Sequence, residues 1–165
     1  MGGSLPAIGR IGKPGGGMIC PVSTYRIQLS PEFTFEDLRD ILGYLEQFQI
    51  STIYSAPFFQ ARKGSTHGYD ITDPFHLNKE IGRLETFREI SGWMQQRDMT
   101  WLQDIVPNHM AYDGSNHWLR DIFELGPESE FYLYFDIDWK NGKVMAPFLG
   151  NPLHEVLQKK ELEIR

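Results

Sequence analysis

Polar and apolar residues alternate from Thr24 to Leu29 (TYRIQL), and Pro31 closes the run, so the spacing predicts a first β-strand. Thr34 stands three residues before Asp37, and Phe33 stands before Leu38 at the interval of a hydrophobic staple; together they mark a helix N-terminus. Leu38, Ile41, Leu42, Leu45 and Phe48 recur at helical spacing, with Glu36, Asp40, Glu46 and Gln47 off that face. A helix of this kind needs a sheet to cover. Thr52 to Ala56 reads as a second strand ended by Pro57, and it opens a loop of about 25 residues, far longer than a βα connection requires. Leu84, Phe87, Ile90, Trp93 and Met94 mark a second helix with Gly92 as a weak point, and Thr100 to Val106 a third strand ended by Pro107. Beyond His109 the pattern loosens. A short helix around Asn116 to Leu125 precedes FYLYFDIDW and KVMAPFLG, which read as a hairpin about Asn141 and Gly142.

The order β-α-β-α-β implies an α/β fold with a parallel sheet and right-handed crossovers, either doubly wound or part of a (β/α)8 barrel. No G-x-G-x-x-G or G-x-x-x-x-G-K-[ST] follows a strand, whereas polar residues gather after the second and third strands, where a barrel builds its site. The barrel is therefore the expected architecture. Barrels have eight units and typically about 250 residues, so three units predict an incomplete one, with residues 18–109 supplying its first three strands and two helices.

Composition removes several classes. Sixteen basic residues against 22 acidic ones leave a formal charge of −6 with no basic run, which argues against nucleic acid as a partner. No apolar stretch approaches the roughly 20 residues that span a bilayer, so no membrane partner is expected. The lone cysteine, Cys20, has no internal partner, which suits a reducing, cytoplasmic setting. Residues 1–17 hold seven of the sixteen glycines and read as a flexible leader or appended segment ahead of a start at Met18.

Two segments carry candidate chemistry. Gly64 to Pro74 (GSTHGYDITDP) offers His67, Tyr69, Asp70 and Asp73 on a backbone whose glycines admit close approach. Tyr69 can present a flat apolar face to a sugar ring and favour positive charge developing there, or it can be a packing anchor, with Asp70 and Asp73 as turn formers. At the end of the third strand, Asp104 shares a face with Val106, so an otherwise apolar strand carries a carboxylate; if buried it demands a partner, such as an arginine from a neighbouring strand. Asn108 and His109 lie beyond, placed to reach ligand hydroxyls or to brace the loop. Histidines 67, 76, 109, 117 and 154 show no zinc spacing, and no metal is expected. No Ser, Cys or Thr sits in a nucleophile elbow, so acyl transfer has no support. Phe131, Phe135 and Trp139, with Tyr132 and Tyr134 on the opposite face, read as hairpin packing.

DIVPNH at Asp104 to His109 and GYD at Gly68 to Asp70 together resemble the α-amylase superfamily of glycoside hydrolases and transglucosylases. STYRIQLSPEFTF, GSTHGYDITDP, FDIDW and APFLG resemble its maltooligosyltrehalose synthase family, and the resemblance runs from about Ser23 to the C-terminus. It implies residues 110–165 as the start of a domain inserted after the third strand. It also implies a retaining mechanism without a cofactor on a maltooligosaccharide or α-1,4-glucan, whose reducing-end α-1,4 linkage becomes α,α-1,1 by intramolecular transglucosylation. The nucleophile and acid/base carboxylates it implies fall beyond Arg165, so this chain alone is expected to be inactive. Substrate binding falls to Tyr69, His109 and His67; Asp104 would orient a fourth-strand arginine, with Asn108 and Asp70 supporting the site. An acidic residue common three positions before the tyrosine is here Thr66. Two alternatives stand beside this reading: a piece of another hydrolase or transglucosylase of the superfamily, and a non-catalytic module binding glucan or protein.

Overall fold

The computed structural model describes residues 21–140 and 149–162. Residues 1–17, Met18, Cys20 and the hairpin expected at Asn141 and Gly142 lie outside the described residues. The chain divides into two compact units, Met1–Ser115 and Asn116–Arg165.

In the first unit, β1 (Thr24–Ile27), β2 (Thr52–Ser55) and β5 (Thr100–Gln103) form a parallel sheet in that order. Helix α1 (Phe35–Gln47) links β1 to β2, and α2 (Leu84–Gln95) leads into β5. Parallel neighbours taken in sequence order, joined by crossovers of one hand, carry their helices on the same face. The core agrees: Leu38, Leu42 and Leu45 of α1 and Ile90 and Met94 of α2 pack in one cluster with Ile27 and Ile53 of the sheet. Strand alternation sends Ile27, Ile53 and Trp101 to this face, while Arg26, Tyr54 and Leu102, opposite one another in register, take the other. That second face is open, and Leu102 is half exposed.

Helix α1 starts where the sequence predicts. The Thr34 backbone N–H donates to Asp37 Oδ2 (2.8 Å) and the Asp37 N–H to Thr34 Oγ1 (3.5 Å), a reciprocal cap on two otherwise unpaired donors. Phe35, fully buried at the helix start, meets the Phe58 ring edge-on at 5.8 Å and the tilted Phe87 ring at 5.4 Å. Gly82 (φ +146°) passes so close that an added Cβ would lie 2.9 Å from Phe35 Cδ2. Gly92 does not interrupt α2.

Two expectations need correction. The segment after β2 is not a plain loop: β3 (Phe59–Ala61) and β4 (Ile71–Leu77) pair antiparallel with shifts in register. Pro74 inside β4 and the brevity of β3 hide this pairing, since a proline signals strand interruption and three residues carry little periodicity. In the second unit FYLYF is not a strand. Tyr132–Tyr134 is a 3-10 turn after α3 (His117–Leu125), and Phe131 stacks on Trp118 at 5.0 Å with the planes 11° apart. The aromatic alternation therefore serves a local cluster on α3, with Tyr134 also 5.0 Å from Trp118. Buried Asn116 caps α3, accepting from the N–H groups of Trp118 (3.1 Å) and Leu119 (3.3 Å), and α4 (Leu153–Gln158) follows. No helix among the described residues is long and apolar enough to cross a membrane.

Candidate functional site

The C-terminal ends of β1, β2 and β5 lie side by side, and the turn between β3 and β4 folds back to them. That turn is closed by the Arg62 N–H donating to the Asp70 carbonyl (3.0 Å). Inside it, buried Ser65 accepts from the Gly68 N–H (3.1 Å) and donates its hydroxyl to Asp70 Oδ1. Gly68 holds φ +75°, and any Cβ there would collide with the Pro57 carbonyl oxygen, so the turn presses directly on the chain leaving β2. His67 Nδ1 lies 3.0 Å from the Tyr69 N–H, which donates to it, and the two rings lie 5.9 Å apart and 24° from parallel.

Tyr69 is thereby aimed at the third strand of the sheet. Its hydroxyl donates to Asp104 Oδ2 at 2.6 Å, and the Tyr54 hydroxyl donates to the same oxygen at 3.1 Å. Arg26 stands behind both phenols: Nη2 donates to the Tyr69 oxygen (3.4 Å), and the guanidinium lies 5.0 Å from the Tyr54 ring centroid. The hydrogen bond to Asp104, then partial burial, then the Asp104 charge raise the Tyr69 phenol above its ordinary value, with Arg26 opposing.

The side-chain partners of Asp104 among the described residues are two phenols, and the nearby Arg26 contacts those phenols, not the carboxylate. The structure brings Tyr69 and Asp104 together, with His67 and Asp70 on the same turn. Asn108 and His109 are exposed and engage each other, Nδ1 of the imidazole 3.1 Å from the amide oxygen. No hydrogen bond among the described residues joins His109 to Tyr69. Asp73 lies apart in β4, where it accepts from the Phe75 N–H (2.9 Å) and faces His76 Nδ1 (2.6 Å). The main-chain segment after β5 is stitched to the hairpin by Ala111 N–H to the Ile71 carbonyl (2.7 Å) and by Arg62 to Asp113 (3.2 Å). Asp70, Asp73 and Asp104 each serve as an acceptor, from the Ser65 hydroxyl, the Phe75 N–H and the two phenols in turn. Among the described residues no three His, Cys, Asp or Glu side chains gather as a metal site.

Sequence reasoning gave Arg26, Gln28, Tyr54 and Ser65 no part here. Arg26 and Gln28 are two polar side chains on one face at the end of β1, and that spacing was the available signal.

Residues 34–154 match the α-amylase catalytic-domain family. The chain belongs to the α-amylase family. Within that family it is 36% identical over 139 residues to a Mycobacterium tuberculosis protein that carries the provisional name maltooligosyl trehalose synthase, covering 79% of this chain and 18% of that one. A crystal structure of a maltooligosyl trehalose synthase superposes with a TM-score of 0.78 at 36% identity, covering 88% of this chain and 20% of that one. The maltooligosyltrehalose synthase from Arthrobacter ramosus gives 0.74 at 38%, covering 82% and 18%. This α-amylase-family chain therefore spans about a fifth of the relatives it matches. Its sheet and helices correspond to the N-terminal part of their barrel.

Proposed function

We propose that this chain supplies the first three strands, and with them one wall of the glucose pocket, of a cytoplasmic enzyme that isomerises maltooligosaccharides. The reaction moves the reducing-end glucose from an α-1,4 to an α,α-1,1 linkage, with no cofactor. Support comes from the identity to maltooligosyl trehalose synthases across four-fifths of the chain or more. Tyr69, its hydroxyl held by Asp104, provides a flat face for the reacting sugar, with the His67 ring stacked beside it. His109 is a donor for a sugar hydroxyl, its ring turned by Asn108, and Asp70 keeps the turn in shape through Ser65.

The nucleophile and acid/base carboxylates belong to other segments of such an enzyme, so the 165 residues alone turn nothing over. For the isomerisation, the maltooligosyl-enzyme left when the reducing-end glucose departs must be kept from water while that glucose turns and attacks it through its anomeric hydroxyl, displacing the nucleophile. A wall rigid enough to hold the sugar without admitting water is what this sheet end contributes.

The test is a graft in which this chain replaces the matched segment of the Arthrobacter ramosus enzyme. Loss of reducing ends from maltopentaose without released glucose supports the reading. Release of reducing sugar assigns the chain to a hydrolase instead. A folded graft that neither binds nor converts maltopentaose refutes both.

A further inference from the structure

Strand β1 carries an arrangement that neither the fold nor the proposed sugar contacts call for. Arg26, within β1, and Gln28, the residue just after its end, are joined: Arg26 Nη2 donates to Gln28 Oε1 at 3.1 Å. Guanidinium only donates, so this contact commits the amide oxygen and turns the amide nitrogen the other way. There Nε2 meets acceptors alone: the carbonyls of Thr66 (3.2 Å), His67 (3.5 Å) and Leu29 (3.4 Å). The orientation of the Gln28 amide is therefore dictated from both ends. The same Arg26 nitrogen also reaches the Tyr69 hydroxyl.

A phenol held only at its oxygen can still swing about that point. Gln28 grips the backbone at Thr66 and His67, just ahead of Tyr69, while Arg26 and Asp104 grip the hydroxyl at the far end of the ring. Two separated anchors fix the direction of the ring's long axis where one does not. Glu80 adds an outer hold on the turn, accepting from the Gly64 N–H at 2.8 Å.

We propose that Arg26 and Gln28 are positioning residues that fix the direction of the Tyr69 ring's long axis, so that the end of β1 sets the height of the sugar wall without touching the sugar. The proposal rests on the reading of Tyr69 as the glucose-stacking residue. In this arrangement Gln28 is the coupling element, since its amide joins the guanidinium to the backbone of the turn.

Gln28→Glu is the sharpest variant, because it keeps size and the bond to Arg26 but sets a carboxylate oxygen against the carbonyl oxygens of Thr66 and His67. Amide hydrogen exchange at Gly68 and Tyr69, measured on the chain itself, should accelerate in this variant while the amides of β2 and β5 do not change. In Arg26→Met, which removes the guanidinium but keeps an unbranched side chain, NMR of labelled tyrosine should show the Tyr69 phenol titrating higher still. In the graft, Gln28→Glu should lower kcat/KM for maltopentaose by about tenfold to a hundredfold, mainly in kcat, as expected when a contact is misplaced rather than lost. Unchanged exchange in Gln28→Glu, or unchanged titration in Arg26→Met, overturns the proposal. So does full turnover by Gln28→Glu where Tyr69→Ala is impaired. Full turnover by Tyr69→Ala removes the stacking reading instead, and the exchange and titration results still decide whether β1 holds the ring.

Discussion

Tyr69 and Asp104, thirty-five residues apart, are joined by a 2.6 Å hydrogen bond from phenol to carboxylate, and it ties the β3–β4 turn to the end of the third parallel strand. Tyr54 donates to the same oxygen, so one carboxylate gathers a strand, a turn and the neighbouring strand. Charge-assisted bonds of this type are roughly twice as strong as neutral ones.

Replacing that carboxylate should therefore act on the phenol first. In Asp104→Asn the Tyr69 titration is expected to fall part of the way back toward the ordinary tyrosine range, because the hydrogen bond to the Asp104 carboxylate is the leading reason it is raised and the carboxylate's charge adds to it. The fold holds the protonated phenol, so the bond's contribution is complete below about pH 10 and is lost as pH rises through the higher Tyr69 value. Thermal melts of wild type and Tyr69→Phe between about pH 8 and pH 12 should converge at the alkaline end. At neutral pH, Tyr69→Phe should cost about 1 to 2 kcal/mol, discounted for partial exposure.

Gly68 and Gly64 offer a paired measurement, since both hold φ +75° but only Gly68 has backbone against its missing Cβ. Gly64→Ala should cost about 1 kcal/mol from conformational strain alone. Gly68→Ala must also displace the Pro57 carbonyl and should cost at least about 2 kcal/mol. Equal losses in denaturant unfolding would show that the turn does not rest on the chain leaving β2.

At the start of α1, Thr34→Ala should destabilise by about 1 kcal/mol through loss of the cap. Asp37 is held below the usual carboxylate range by the Thr34 N–H and hydroxyl. Its contribution is thus present above the ordinary value near pH 3.9 and is lost as pH falls through the lower folded value. Acid unfolding of Asp37→Asn should lose that pH dependence.

For the proposed activity, Tyr69→Ala and His109→Ala in the graft should each lower kcat/KM by on the order of 10²-fold if their contacts strengthen in the transition state. Asn108→Ala should act more weakly, since its observed partner is the His109 ring. Steady-state kinetics with maltopentaose would rank the three.

The strands and helices were legible wherever one face of an element is buried against a neighbour in the same core. Leu38, Leu42 and Leu45 repeat at helical spacing because α1 covers the sheet, and Ile27 and Ile53 follow strand alternation because they lie beneath it. The β3–β4 hairpin was not legible: its pairing shifts register and Pro74 sits inside it, so no period survives. FYLYF was misread for a related reason, because an alternating aromatic run is compatible with a strand and with a 3-10 turn packed on Trp118 alike.

Local pattern alone thus determined the order β-α-β-α-β, the cap at Thr34 and the candidate status of Tyr69, Asp104 and His109, since each depends on neighbours within a few positions. Which partner satisfies Asp104 was decided only in three dimensions. An arginine on an adjacent strand and a tyrosine from a distant turn are equally able to meet a carboxylate, and nothing in the spacing between residues 69 and 104 selects one. The turn reaches that carboxylate because Gly68 lets it lie against Pro57 and Gln28 holds its carbonyls, contacts that exist only once β1, β2 and β5 have aligned.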